Sequence, residues 1–197
     1  MNVLEWNSKP FPDNFRSKLN ESEVLKLAYN FNLSLPDSDL YVMETFSIRG
    51  KELHNKINEI HLSSMLIVLL NGINKEFDLE EKVFFQKQSV INHLFSLLIG
   101  NDRTSSSNAV NSIIKELEMH NYIKTLTDKC SNDNFTIQIP PKCIESYIVS
   151  NDVKKEDLAI SFLLTLSFIK VNILQNETTF EKLNSSKWQL KKEATVE

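Results

Sequence analysis

A mainly α-helical protein with one small β-hairpin is the fold class this sequence predicts, and three features carry the expectation. Residues 51–73 and 106–120 repeat apolar side chains at helical spacing. Residues 153–170 are apolar on nearly every side, as in a helix that is covered all round. Residues 122–127 and 135–139 have strand composition instead. In the second run Phe135, Ile137 and Ile139 alternate with Thr136 and Gln138, and the polar residues 128–134 between the two runs read as a hairpin loop.

From the N-terminus, Pro10 and Pro12 bracket Phe11, which predicts an extended arm whose Trp6, Phe11 and Phe15 pack onto the body. Asn20 and Glu23 have the spacing of a capping box, and Val24, Leu25, Ala28 and Phe31 supply the stripe of a short helix ending near Asn32. Pro36 breaks the chain, and residues 40–48 have the composition of a strand with imperfect alternation. The helix over 51–73 carries Leu53, Ile57, Ile60, Leu62, Leu66, Leu69 and Leu70, with Gly72 near its end. The charged run 75–82 is expected to open a further helix through Val83, Phe84 and Phe85 towards Ser89, and residues 89–99 to form the next one. Gly100 and Asn101 then make a turn.

The helix over 106–120 has a clear start, because Thr104, Ser105, Ser106 and Ser107 can each accept from the free amides of a first turn. Ala109, Val110, Ile113, Ile114 and Leu117 lie on its buried face, whereas Ser105, Asn108, Ser112, Lys115 and Met119 lie opposite, with Asn111 on the flank. Pro140 and Pro141 end the extended run after Ile139, residues 143–149 fit helix or strand equally, and Asp152 is placed to cap the apolar helix that follows.

The order of turn, helix and hairpin, with SSSNAVNSIIKELEMHNYI at its centre, resembles the second half of a winged helix-turn-helix domain. That family has a Ser/Thr-capped recognition helix ending in a Leu-Glu pair and a short Tyr-Ile strand. The chain departs from the pattern in having Asn121 where the family usually has glycine. Residues 89–99 are also more continuously apolar than a typical helix of that position. The resemblance implies three segments: an N-terminal arm with bracing elements over 1–59, a winged-helix-like domain over 60–141, and a C-terminal helix with a tail over 142–197. It also implies duplex DNA as partner. Asn108, Asn111, Ser112 and Lys115, with Ser105 and Arg103 beside them, would meet the major groove, while Lys129 and Asn132 on the wing would touch backbone.

Composition bounds these expectations. A chain of 197 residues with 41% hydrophobic content can bury a core, and its net charge of −4 argues against coating nucleic acid by bulk attraction. Residues 101–129 balance Arg103, Lys115, Lys124 and Lys129 against Asp102, Glu116, Glu118 and Asp128, a neutrality that opposes phosphate binding. Two cysteines and an N-terminus without an apolar run predict an intracellular protein with no signal peptide. Lys170 and Asn172 interrupt the last apolar run too early for a membrane span. No metal-ligand spacing, Gly-rich phosphate loop or catalytic constellation is visible, so no cofactor and no enzymatic activity are expected. The sequence therefore predicts a non-enzymatic DNA-binding protein of transcriptional-regulator or replication-initiation type, forming a homodimer through residues 158–174. The competing expectation is an adaptor or inhibitor that keeps the same shape and binds protein.

Overall fold

The structure is a computed structural model and describes residues 1–3, 5–8, 15, 19–45, 53–72, 81–99, 102–124, 137–175, 179–181 and 183. It is mostly helical with small β elements, as the sequence predicts. The chain divides into two compact units, one of Met1–Lys9 with Ser89–Glu197 and the other of Pro10–Gln88. The expected segment boundaries at 59/60 and 141/142 fall within one helix and at the start of another.

The unit Pro10–Gln88 holds α1 (Glu21–Ser34), β1 (Tyr41–Glu44), α2 (Leu53–Asn71) and β2 (Val83–Gln86). The capping box at the start of α1 is complete: Glu23 N donates to Asn20 Oδ1 and Asn20 N to Glu23 Oε2, each at 2.9 Å. Val24 and Ala28 of α1 are buried with Phe15, Leu62 and Leu66, whereas Leu25, expected in the same stripe, is exposed. Asn58 secures this core by donating to the Phe15 carbonyl at 2.7 Å. Gly72 leaves α2 at φ 70°, the left-handed conformation that glycine adopts without penalty after a helix end.

β2 corrects the sequence reading, which expected Val83, Phe84 and Phe85 in a helix. These residues pair with β1 in parallel, Tyr41 opposite Val83 and Glu44 opposite Gln86. The start of the strand is fixed from outside, because Asn71 Oδ1 accepts from Lys82 N at 2.9 Å and Val83 N at 3.0 Å. Those two bonds and the ladder satisfy amides that local sequence would otherwise assign to a helical turn.

The other unit contains α3 (Gln88–Leu94, its first residue apart), β3 (Leu98–Ile99), β4 (Asp102–Arg103), α4 (Ser106–Lys124), α5 (Pro141–Ile148) and α6 (Asp152–Phe168). α3 is shorter than the expected 89–99, because Ser96 turns the chain at φ 53° and Leu98–Ile99 pair antiparallel with Asp102–Arg103. Leu97, after the turn, is completely buried, and Ile91 and Leu94 before it are buried too. α4 runs further than expected. Tyr122–Lys124, read as the start of a strand, are its last turn. Once nucleated, a helix gains a hydrogen bond per added residue, and neither Gly nor Pro stands here to stop it. The hairpin residues 125–136, with Lys129 and Asn132, lie outside the described residues. Gln138 instead forms a parallel bridge with Asn2, Val3 N donating to Gln138 O at 2.9 Å and Gln138 N to Met1 O at 2.8 Å.

α5 settles the open choice over residues 143–149 as a helix, with Pro141 in its first turn, where the missing amide costs nothing. α6 is capped by Asn151, not by Asp152, since Asn151 Oδ1 accepts from Lys154 N at 2.9 Å. Leu158, Ala159, Phe162, Leu163, Leu164, Leu166 and Phe168 are all buried within the chain, and after Val153 in its first turn the exposed line of α6 is formed by the polar Asp157, Ser161 and Thr165. At the far end of the same apolar run, Ile173 and Leu174 are exposed. The helix continues as a π-helical turn, Ile169–Ile173. No helix of the described residues is long and apolar enough to cross a membrane.

Candidate functional site

α4 lies against α6 and divides its surface as an amphipathic helix does. Val110 and Ile114 are buried, Ile113 and Leu117 are half-buried, and Asn108, Ser112 and Lys115 are exposed along one line at spacings of four and three residues. Asn111 is half-buried on the flank of that line. Ser112 is not free to reach outward with its proton, because its hydroxyl donates to the Asn108 carbonyl at 3.1 Å. Among the serines proposed as caps, Ser105 takes the role: its Oγ accepts from Asn108 N at 3.3 Å and lies 3.1 Å from Ser107 Oγ. Arg103 is in β4, just before the helix. The structure therefore brings Asn108, Asn111, Ser112 and Lys115 onto one helix with Ser105 as its cap, and Lys129 and Asn132 lie outside the described residues.

The start of α4 is held by side chains of α6 and α5. Glu156 of α6 spans the first turn with both carboxylate oxygens, Ser106 N donating to Oε1 at 2.7 Å and Ser107 N to Oε2 at 3.0 Å. Ser106 is almost completely buried. Burial pushes the Glu156 carboxyl upward, but the amides of Ser107 and Ser106, aided by their hydroxyls, outweigh it and hold the group below its ordinary range. Two amides that a helix start leaves unpaired are thus satisfied, and its partial positive charge is neutralised by a carboxylate from another helix.

Tyr147 of α5 completes the arrangement. Its hydroxyl donates to the Ser107 carbonyl at 3.3 Å, and Lys155 Nζ sits 5.7 Å from the centre of its ring. The same ring stacks with Trp6 at 4.5 Å, the planes 9° apart. Trp6 also faces Phe162 at 5.3 Å and donates from its indole to the Leu158 carbonyl at 3.0 Å. Burial first, and the Glu156 charge second, push the Tyr147 phenol up to about 12.

Sequence reasoning placed Trp6 against the body but did not name Tyr147 or Glu156. A glutamate four residues into a helix signals nothing about a partner fifty residues away. Among the described residues no group of three or more His, Cys, Asp or Glu side chains is placed to hold a metal ion. No protein-family model matches the chain, and no curated protein matches it.

Proposed function

We propose that the chain is an intracellular, non-enzymatic DNA-binding protein, of transcriptional-regulator or replication-initiation type, that presents the exposed face of α4 to the major groove. The observation behind this reading is the line Asn108, Ser112 and Lys115, held outward by the burial of Val110 and Ile114 on the opposite side. Asparagine can pair bidentately with adenine, and lysine can reach guanine or a phosphate. The carboxylate of Glu156 occupies the N-terminus of α4, so phosphate is not held there, and the backbone contacts fall to Lys115 and Arg103. Two copies acting on neighbouring half-sites would compensate for the weak phosphate attraction of a chain with net charge −4, and a homodimer is part of the proposal for that reason. Titration with mixed-sequence duplex DNA at several salt concentrations tests it, a loss of affinity with rising salt being the expected result.

A second reading, an adaptor or inhibitor that binds protein, is favoured by two observations. The first turn of α4 is neutralised by Glu156, and Ile148, Val149 and Val153 are exposed together where α5 gives way to α6. Absence of duplex binding near about 50 mM salt, where electrostatic contacts are strong, would decide for it.

A further inference from the structure

The side chain that fixes the start of β2 also sits in a reactive sequence. Asn71 is the last residue of α2, and Gly72 follows it. The chain holds three glycines, and Gly72 is the one preceded by asparagine. The side-chain amide of an asparagine is open to attack at Cγ by the backbone nitrogen of the next residue, which closes a succinimide ring. Glycine hinders that approach least, because it has no Cβ. Gly72 has already left the helix at φ 70°, in the region that glycine occupies freely.

The fold adds something at the oxygen. Asn71 Oδ1 accepts from Lys82 N at 2.9 Å and from Val83 N at 3.0 Å. When Gly72 N attacks Cγ, the negative charge of the tetrahedral intermediate develops on that same oxygen. Two fixed backbone amides at about 2.7 to 3.1 Å from such an oxygen are the donor set of an oxyanion hole. The donors stand eleven and twelve residues further along the chain, so only the folded chain brings them to Asn71. Asn71 is half-buried, which leaves water a route to the ring.

We propose that Asn71 and Gly72 form a self-modification site, at which the folded chain promotes its own deamidation. Gly72 N loses its proton to solvent and bonds to Asn71 Cγ. The bond from Cγ to Nδ2 breaks, and Nδ2 leaves as ammonia with a proton taken from solvent. Water then opens the succinimide at either carbonyl, with no change of oxidation state. One product is aspartate at position 71, whose charged oxygens hold the Lys82 and Val83 amides more strongly than the neutral amide does. The other is isoaspartate, in which the main chain runs through Cγ and is longer by one methylene. The oxygen that fixed β2 then belongs to the main chain, and the start of the strand loses that side-chain acceptor. The site lies in the unit Pro10–Gln88 and does not depend on the DNA-binding reading.

The test incubates the whole chain at neutral pH, native and in parallel unfolded in guanidinium, and reads aspartate and isoaspartate at position 71 by peptide mass spectrometry. Conversion is expected to run severalfold faster in the native chain than in the unfolded one, and to fall sharply in both states in Gly72→Ala. Val83→Pro removes one of the two donors, an amide given to Asn71. Its native rate is expected to drop towards the unfolded rate. If circular dichroism shows that this variant does not fold, the native and unfolded rates of the unmodified sequence decide alone. A native rate equal to or below the unfolded one, or no conversion in either state, would overturn the proposal. A folded Val83→Pro chain that converts at the full native rate would overturn it as well.

Discussion

Glu156 on α6 receives the backbone amide of Ser106, the first residue of α4, at 2.7 Å, so one helix caps another. Glu156→Gln keeps one acceptor oxygen and removes the charge, and it is expected to cost about 1 to 2 kcal/mol at neutral pH. The carboxyl is held below its ordinary value near 4.5 in the fold, so its stabilisation is full above that value and is lost as pH falls through the folded one. Urea denaturation of both proteins at pH 7 and in acid should show the difference shrinking in acid. A difference that stays constant would mean that the charge is irrelevant to the cap.

Tyr147 titrates in the opposite sense. The fold keeps its proton up to about 12, whereas the unfolded chain releases it near 10.0, so stability from this group is complete below the lower value and declines as pH rises between them. Ultraviolet titration of the phenolate should find a late-ionising transition that is absent in Tyr147→Phe. Adding Glu156→Gln should lower that transition by removing a neighbouring negative charge, and an unchanged transition would leave burial as the sole cause.

Trp6→Ala is expected to destabilise the protein by about 3 to 5 kcal/mol, the usual cost of emptying a large aromatic site. Trp6→Phe should cost far less. It keeps a ring against Tyr147, and the Leu158 carbonyl that loses the indole still accepts from Ser161 Oγ at 2.8 Å. Chemical denaturation compares the two, and equal losses would show that the hydrogen bond matters more than the stack.

Within α4, Ile114→Ala should cost about 2 to 5 kcal/mol and Ile113→Ala clearly less, because only the first of the two is buried. Thermal melts suffice to rank them. The reverse ranking would mean that the helix is rotated from the orientation described.

For the DNA reading, Lys115→Gln should weaken binding to every duplex and reduce the salt slope by about 1. Asn108→Ala should cost about 1 to 3 kcal/mol at a single base position. Asn111→Ala should cost less, since Asn111 is the less exposed of the two asparagines. Competition titrations with single-base variants of a selected site measure both, and uniform losses from Asn108→Ala would remove it from base recognition.

Much of the helical framework was legible because its signals are local. Asn20 and Glu23 form the box their spacing announces, and Val110 and Ile114 bury as their periodicity requires. The errors have more than one cause, and in the first a distant partner overrode a local preference. Val83–Gln86 became a strand because β1 and Asn71 supplied hydrogen bonds. Ser96 took a positive φ with neither glycine nor asparagine to announce it, next to a buried Leu97. Tyr122, a good strand former, stayed in α4, where chain context outweighed its intrinsic preference. The network at the start of α4 could not be read at all, since Trp6, Tyr147 and Glu156 carry no mutual spacing signal in a single sequence.

The distance along the chain between Trp6 and its seat also sets an order of events at the ribosome. The indole is synthesised 152 residues before the Leu158 carbonyl that receives it, which at ordinary elongation rates means roughly 8 to 30 s. Throughout that interval the nascent chain carries an apolar aromatic with no native contact to make, while Pro10–Gln88 gains the last of its own residues partway through and can then fold as a unit. Neighbouring ribosomes on one message would hold such chains close together at that moment, and a chaperone that recognises exposed aromatic segments would find its target in residues 1–8.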